Sequence, residues 1–376
     1  MKNQIVLLGL LALCTHSQMS AASPQKSIYH KGWIDFNKNG VMDIYEDPKA
    51  PLEDRVQDLL SQMTLDEKTC QMATLYGSGR ILKDALPQEN WKTEIWKDGI
   101  GNIDEEHNGL GKFRSEYAFP YTRHVDTKHA IQRWFIEETR LGIPVDFTNE
   151  GIRGLCHDRA TYFPAQCGQG ATWNKELIAR IAEVEAREAD ALGYTNIYSP
   201  ILDISQDPRW GRCVETYGED PYLVSRMGVS QVRGYLDNQV SPMIKHFGAH
   251  GAPQGGLNLA SVSCGQRELL SIYLKTFETV VKEAKPWAVM SSYNSWNNEP
   301  NSSSHYLMTE LLRDRWDFQG YVYSDWGAIG MLNYFHKTAQ NSAEAAIQAL
   351  TAGLDAEASD NSYAELQQLV ENGMLD

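Results

Sequence analysis

The stretch Gly320-Tyr-Val-Tyr-Ser-Asp-Trp326 has the pattern of a short buried strand that ends in a carboxylate. Aromatic and β-branched residues alternate in it after a turn glycine, as they do in strands. Barrels of eight alternating strands and helices carry their chemistry at the C-terminal ends of the strands. We therefore predict that Asp325 is a catalytic nucleophile. The alternative is that its side chain only caps the helix that follows.

On both sides of this stretch, short apolar runs alternate with helical patterns. Asn174 can cap the helical pattern over residues 175–192, and Pro221 directly after Asp220 opens another. Eight strands that alternate with helices predict the α/β class, as a (β/α)8 TIM-like barrel over residues 64–376 with an N-terminal extension. The apolar runs lie at residues 100–103, 143–147, 162–167, 195–202, 242–247, 287–293, 321–324 and 353–356.

The composition is that of an ordinary globular protein of 376 residues, with a net charge of −15. The length fits one elaborated barrel, since barrels of this type have about 250 residues or more. The negative charge argues against nucleic acid or an anionic membrane surface as a partner. It suits a protein whose substrate is neutral.

Residues 1–22 are predicted to be a signal peptide, with a positive start at Lys2 and an apolar core at residues 5–14. The core is too short for a membrane span, so we expect a periplasmic or secreted protein. A lipoprotein signal with Cys14 as the lipidated residue is an alternative, although leucine is an unfavourable residue directly before such a cysteine. The other five cysteines contain no Cys-x-x-Cys pair, which argues against a zinc site and leaves disulfide pairing open.

Residues 23–63 form an N-terminal arm, and its segment 35–46 matches the pattern of a calcium-binding loop. Gly40 falls where such a loop turns sharply, and the acid at the twelfth position can bind through both oxygens. A polar turn is the alternative, because no clear helix precedes the segment. We predict a structural calcium ion here and no cofactor for catalysis. The predicted ligands are Asp35, Asn37, Asn39, Val41, Asp43 and Glu46.

Polar and aromatic residues follow several of the apolar runs. Each has a structural explanation when it is taken singly, such as a surface cation, a core histidine or a core phenol. Together, acids, bases and aromatic rings that converge on one barrel mouth suit a polyhydroxylated ligand, because hydroxyl groups need charged donors and acceptors. The candidate binding residues are Glu150, Arg212, Lys245, His246, Tyr293 and Trp326.

The motifs Asp207-Pro-Arg-Trp-Gly-Arg212, Lys245-His-Phe247 and Ser324-Asp-Trp326, in this order, resemble glycoside hydrolase family 3. The resemblance runs from about Val56 to the C-terminus. It implies an exo-acting retaining glycosidase of the β-glucosidase and β-xylosidase type. Asp325 would then carry the glycosyl-enzyme intermediate and Trp326 would wall the glycone site. The other five candidates would hold the hydroxyl groups of the terminal sugar.

One part of the family pattern is missing. In two-domain members the acid/base glutamate comes from a C-terminal α/β domain, whereas this sequence stops at Asp376. Single-domain N-acetylglucosaminidases carry an Asp-Ser-His loop that residues 248–258 lack. His250 is expected to pack or bind ligand, and Glu268 to be structural. We therefore expect a barrel domain without its C-terminal domain, weakly active alone because losing a general acid costs about 10²–10⁴ in rate.

The sequence thus predicts an enzyme that hydrolyses terminal non-reducing β-D-glucosyl residues of a β-linked oligosaccharide or glycoside. A β-xylosidase of the same family is one alternative, and a non-catalytic carbohydrate-binding fragment is another. An N-acetylhexosaminidase is disfavoured by the missing Asp-Ser-His loop. Asp325 argues against a pure binder, because binding alone needs no ionised carboxylate under the anomeric carbon.

Overall fold

The computed structural model of the chain describes residues 27–76, 86–93, 97–105 and 121–375. The predicted signal peptide lies outside these ranges. Within them, no helix combines the length and the apolar character that crossing a membrane would need. The five cysteines of the described part are all free thiols, so none of them forms a disulfide there.

A sheet of seven parallel strands is the centre of the fold, and its strands follow one another in chain order. This order is that of a barrel wall, in which each strand pairs with the next after a helical crossover. The strands are β1 (Thr74–Tyr76), β2 (Asn102–Asp104), β3 (Asp146–Glu150), β4 (Asn196–Tyr198), β5 (Ser241–Phe247), β6 (Ala288–Ser291) and β7 (Tyr321–Tyr323).

An eighth segment brings the two edges of this sheet together. Ala356 forms a parallel bridge with Tyr323 of β7, and its carbonyl accepts a hydrogen bond from the Ser324 amide at 2.9 Å. On its other side, the Glu357 amide donates to the carbonyl of Met72, just before β1, at 3.0 Å. The predicted TIM-like α/β barrel is confirmed, although its last segment is a bridge and not a full strand.

The predicted strand at 162–167 was wrong. Pro164 has no amide hydrogen to give to a sheet, and the helix Gln166–Gly170 begins two residues later. The first strand is instead Thr74–Tyr76, with only three residues. It begins three residues after the helix Leu65–Gln71 ends, and no glycine or proline separates the two, so the sequence gives no signal that the helical pattern has stopped.

Two helices begin at the capping residues that the sequence suggested. The side chain of Asn174 accepts a hydrogen bond from the Leu177 amide at 2.9 Å, and Asp220 accepts from the Leu223 amide at 2.7 Å. The helices are α1 (Leu52–Gln62), α2 (Leu65–Gln71), α3 (Tyr121–Glu138), α4 (Gln166–Gly170), α5 (Lys175–Ala191), α6 (Pro221–Leu236), α7 (Lys275–Ala284), α8 (Tyr306–Arg315), α9 (Ala328–Tyr334), α10 (Ser342–Ala352) and α11 (Leu366–Glu371).

The core holds the strands rigid beneath the site. Every residue of β5 is buried. Its Ile244 and Phe247 pack among the helices outside the sheet, while Met243 packs with Tyr198 and Tyr323 inside the barrel. A strand buried on both faces is a firm support for functional side chains at its C-terminal end.

Candidate active site

A cavity of about 440 Å³ opens at the C-terminal ends of the strands. The structure brings the predicted nucleophile and all six predicted binding residues to its wall. The described residues that line it are Tyr76, Asp104, Glu105, Glu150, Tyr198, Arg212, Lys245, His246, Asn258, Met290, Tyr293, Tyr323, Asp325, Trp326 and Ala358.

Asp325 lies two residues past the end of β7 and is only 7% exposed. Its Oδ1 accepts a hydrogen bond from the Trp326 amide at 2.7 Å. Helix α9 has Gly327 at its N-cap and receives no side-chain cap, so the alternative role of Asp325 as a helix cap does not hold. Its Oδ2 is buried and has no hydrogen-bond partner among the described residues. One carboxylate oxygen is thus held in place while the other remains available.

Two neighbouring residues of β5 line the cavity together, which a regular strand does not allow. Successive side chains of a strand point to opposite faces. Between Ile244 and Phe247, however, the pairing of β5 with β6 shifts register. Such an irregularity re-aims side chains locally. As a result, Lys245 and His246 both line the cavity.

Lys245 forms an ion pair with Glu150 in the cavity wall. Its Nζ lies 2.9 Å from Oε1 and 2.7 Å from Oε2 of that glutamate. The lysine side chain is 2% exposed, whereas that of Glu150 is 33% exposed. The cation is therefore fixed inside the wall, and the acid at the end of β3 keeps an exposed side that can accept hydrogen bonds from a ligand.

Arg212 is held by three groups at once. Its Nε and Nη2 donate to Glu215 Oε2 at 2.9 and 2.7 Å. Its Nη2 also lies 3.1 Å from His246 Nε2, and its Nη1 lies 3.0 Å from His250 Nε2. A planar guanidinium with several partners is oriented more firmly than a single ion pair would orient it.

Burial is the main influence on Asp325, and it raises the pKa of this carboxyl group above its usual value. The cations Lys245 and Arg212 oppose this effect, followed by the Trp326 amide, which favours the ionised form as a hydrogen-bond donor. Removing either cation should therefore raise the pKa of Asp325 further, because the ionised form would lose stabilisation.

Aromatic side chains complete the wall near Asp325. Trp326 is 41% exposed, and its ring meets the ring of Tyr76 edge-on, with centroids 4.3 Å apart. Burial, followed by the charge of Asp325, raises the pKa of Tyr293. Its phenol therefore keeps its proton and can donate hydrogen bonds.

Most of this chain matches the sequence model of one protein family. Residues 64–376 match the model described as Glycosyl hydrolase family 3 N terminal domain. The chain belongs to glycosyl hydrolase family 3. The matched range contains every residue that lines the cavity.

Two relatives in this family carry different activities in their names. A β-xylosidase of Formosa agariphila is 39% identical over 230 residues, which are 57% of this chain and 32% of that protein. The periplasmic β-glucosidase of Salmonella typhimurium is 32% identical over 328 residues, which are 85% of this chain and 39% of that protein.

Solved structures of β-glucosidases share the fold. A β-glucosidase of Erythrobacter marinus superposes with a TM-score of 0.81 at 30% identity, and the match covers 89% of this chain and 44% of that one. A β-glucosidase of Listeria innocua in complex with glucose gives a TM-score of 0.74 at 31% identity, with 87% and 44% covered. The chain thus spans less than half the length of these relatives.

Sequence reasoning missed part of this family 3 pocket. Asp104 and Glu105 line it at the end of β2, and Tyr76 lines it at the end of β1. Burial, followed by the charge of Glu105, raises the pKa of Asp104 to about 8, so this acid is largely protonated at neutral pH. Asp325 was identified as an acid that follows a short apolar run. The same signal is present at Asp104, which follows the run at 100–103. Tyr76 carried no such signal.

The structure shows the surroundings of His250 and Glu268, two titratable residues that the sequence considered as possible acids. His250 is buried, and burial followed by the nearby charge of Arg212 lowers its pKa to about 3. It is therefore a neutral imidazole that accepts a hydrogen bond from Arg212, and it has no proton on Nε2 to give to a leaving group. Glu268 is exposed and accepts a hydrogen bond from the Tyr273 hydroxyl at 3.4 Å. It is not among the residues that line the cavity.

Proposed function

We propose that this chain forms the glycone-binding and nucleophilic part of an exo-acting retaining β-glycosidase. Its substrate would be a terminal non-reducing β-D-glucosyl residue of a β-linked oligosaccharide or glycoside. The observation that carries the proposal is the Oδ2 atom of Asp325, which is buried and unpartnered among the described residues. A buried carboxylate oxygen without a partner, near two cations in a polar pocket, suits attack on an electrophilic carbon.

The reaction would proceed in two displacements. One oxygen of Asp325 attacks the anomeric carbon while the bond from that carbon to the leaving oxygen breaks. The leaving oxygen takes a proton from a general acid. The same group then removes a proton from water, which attacks the anomeric carbon and releases Asp325 with the β configuration retained. In retaining enzymes that acid lies about 5–5.5 Å from the nucleophile. By the family resemblance, it would come from a C-terminal domain.

Binding of the sugar would fall to the charged groups of the cavity wall. Glu150 would accept hydrogen bonds from hydroxyl groups. Lys245 and Arg212 would hold neighbouring hydroxyls, and both cations would favour the ionised form of Asp325. His246 was predicted to hold a hydroxyl as well, but its two ring nitrogens face Asp203 and Arg212 at 2.8 and 3.1 Å, so it would orient Arg212 instead. Trp326 would stack on the sugar face. The β-glucosidase of Listeria innocua has been solved with glucose and, as a mutant, with laminaribiose, which supports a glucosyl substrate.

A β-xylosidase is the second candidate, and the 39% identity to the enzyme of Formosa agariphila favours it. Glucose and xylose differ by one hydroxymethyl group. When the contacts are apolar, a missing carbon changes the binding of the transition state by only about 1–3 kcal/mol, so a pocket distinguishes the two sugars weakly. A third possibility is a carbohydrate-binding protein without turnover.

Labelling with activated 2-fluoro glycosides tests the proposal. A 2-fluoro β-glucoside and a 2-fluoro β-xyloside with good leaving groups need no general acid, so the nucleophile is tested alone. We expect a covalent adduct on the peptide that contains Asp325, formed faster with the glucoside. Faster labelling by the xyloside would identify the second candidate. A folded protein that binds glucose and acquires no adduct would indicate a binder.

The proposed location is the periplasm or the medium. The periplasmic β-glucosidase of Salmonella typhimurium, which matches 85% of this chain, supports this location. The net charge of −15 supports a neutral saccharide over a nucleic acid as partner.

We also propose that the loop at 35–46 binds a structural calcium ion. Asp35 and Glu46 are buried within it, and Gly40 has the positive φ of 82° that its sharp turn needs. The amide groups of Asn37 and Asn39 both face Asp43 Oδ2, at 2.6 and 2.7 Å. Binding of the ion by the two amide oxygens would require both side chains to turn and to give up the hydrogen bonds that these oxygens accept from the Asn39 and Val41 amides at 3.2 and 2.7 Å. In the described part of the chain, no three His, Cys, Asp or Glu side chains form a metal cluster, so the asparagines and a backbone carbonyl would have to contribute.

Calcium is expected to raise the melting temperature of the protein. At a concentration 100-fold above the dissociation constant the ion would add about 2.7 kcal/mol, which is a shift of roughly 5 °C for a large domain. The measurement is a thermal melt with calcium, with magnesium and with a chelator. Glu46→Gln should abolish the calcium-dependent shift. An identical melting temperature under all three conditions would rule the site out.

A further inference from the structure

Asp203 lies directly behind His246 and belongs to no motif that the sequence singled out. Its side chain is fully buried, a few residues beyond β4. Its Oδ2 accepts a hydrogen bond from the backbone amide of His246 at 3.2 Å and lies 2.8 Å from the Nδ1 atom of the same residue. One carboxylate oxygen thus holds both the backbone and the ring of His246.

The contacts of this ring determine where its proton is. Nε2 of His246 lies 3.1 Å from Nη2 of Arg212, and a guanidinium can only donate hydrogen bonds. Nε2 must therefore be the acceptor, and the proton lies on Nδ1, facing Asp203. Burial, followed by the charge of Arg212, lowers the pKa of His246 well below its usual value, so the ring is neutral in this arrangement.

His250 repeats this orientation at the other terminal nitrogen of the guanidinium. Its Nε2 lies 3.0 Å from Arg212 Nη1, and its Nδ1 lies 3.4 Å from Asn294 Oδ1. Both imidazoles therefore turn a lone pair toward Arg212 and a proton away from it. The bond at Asp203 is the shorter of the two anchoring bonds, so His246 is held more firmly.

The position of this proton matters for the nucleophile. Nε2 of His246 lies 3.7 Å from Oδ2 of Asp325, the oxygen without a partner among the described residues. In the other tautomer, Nε2 would carry a proton and could donate it to that oxygen after a small movement. This bond would occupy the lone pair needed for attack, and it would take Nε2 away from Arg212.

We propose that Asp203 is a positioning residue that keeps the His246 proton on Nδ1. It thereby preserves Nε2 as an acceptor for Arg212 and leaves Oδ2 of Asp325 free to attack the sugar. This inference rests on the proposed function of Asp325 as the nucleophile. It adds a buried residue that is not part of the cavity wall and acts through His246.

Two substitutions separate this role from a general structural one. Asp203→Ala removes the acceptor. Asp203→Asn keeps an oxygen that can take over both bonds of Oδ2, and its amide nitrogen replaces Oδ1, which has no partner among the described residues. The role of Asp203 as an acceptor needs lone pairs on one oxygen, which the amide oxygen of asparagine also supplies. The asparagine variant should therefore behave like the wild type.

The first readout is the tautomer of His246, measured by nitrogen-15 NMR of histidine-labelled protein and assigned by the loss of signals in His246→Gln. The wild type and Asp203→Asn should show the proton on Nδ1, and Asp203→Ala should shift it toward Nε2. The second readout is the rate of Asp325 labelling by the faster 2-fluoro glycoside. We expect a loss of roughly 10²–10⁴-fold in Asp203→Ala, in the range of a wrong histidine tautomer in a hydrolase. The loss in Asp203→Asn should stay under about tenfold, because the acceptor oxygen is kept.

A wild-type His246 with its proton on Nε2 would overturn the proposal, whether or not either variant folds. So would a folded Asp203→Ala that labels at the wild-type rate, or equal losses in both variants. These results are distinct from failure of the proposed function. If the wild type is never labelled, the nucleophile assignment fails, while the NMR measurement still decides what Asp203 does to His246.

Discussion

Replacing Asp325 by alanine is expected to abolish labelling by 2-fluoro glycosides and to lower the hydrolysis of aryl β-glycosides by at least about 10⁴-fold. Losses of this size follow the removal of a nucleophile, because the covalent route is closed and only binding effects remain. The structure gives the reason in atomic terms: Oδ2 of Asp325 is a buried carboxylate oxygen near two cations, without a hydrogen-bond partner among the described residues. Initial rates on an aryl glycoside, with intact mass after labelling, measure the effect.

The matched control for this experiment is Asp317→Asn. Asp317 is an exposed acid two residues past the end of α8, and it is not among the residues that line the cavity. Its φ of 58° is one that asparagine tolerates, so this variant should keep wild-type labelling and wild-type rates. Addition of azide to Asp325→Ala should restore turnover of an aryl glycoside, because a small anion can enter the space left by the carboxylate. A folded Asp325→Ala protein that is still labelled at another carboxylate would refute the assignment.

Replacing Lys245 by methionine is expected to lower the labelling rate by about 10²–10³-fold, the range seen when one preorganised electrostatic contact is lost. Lys245 is the largest of the influences that oppose the raised pKa of Asp325. Without it, the pKa of Asp325 rises further, so a larger fraction of the nucleophile is protonated at a given pH. The acid limb of the pH–rate profile should therefore move to higher pH.

Glu150→Gln is the control that separates charge from packing. It removes the negative partner of Lys245, which lies at 2.7 Å, but leaves the cation near Asp325. Sugar binding should weaken, since a charged acceptor is lost, while the acid limb should not move to higher pH. Thermal melts check that both variants fold. An acid limb that stays in place in a folded Lys245→Met protein would contradict the electrostatic role of this lysine.

Much of the candidate site could be predicted because its residues stand in local patterns. Asp325 ends a recognisable strand, Arg212 belongs to a distinctive loop, and Lys245 and His246 follow a continuous apolar run. Parallel strands in a barrel place their C-terminal ends at one mouth. An acid or base at the end of such a run is therefore brought to the pocket by the fold itself, whatever the details of packing.

Other residues of the site could not be found in this way. Tyr76 ends a strand that follows helix α2 with no glycine or proline between them, so the sequence does not separate this strand from the helix. Asp203 acts only through His246, at 2.8 Å, and nothing in its neighbours along the chain announces that contact. Such residues reach the site through contacts between segments that are distant along the chain, and the spacing of residues in the sequence does not reveal these contacts.

By itself, the sequence determined the barrel, the capped helices, the family and the seven residues that meet at the cavity, because each depends on periodicity or on a local motif. Only the tertiary structure decided that the first strand of the barrel is Thr74–Tyr76 and that the run at 162–167 is not a strand. It also decided that a register shift turns Lys245 and His246 to the same side. These features depend on pairing between distant segments and on burial. Pairing and burial determine the hydrogen-bond partners and the proton positions, and no single stretch of sequence specifies them.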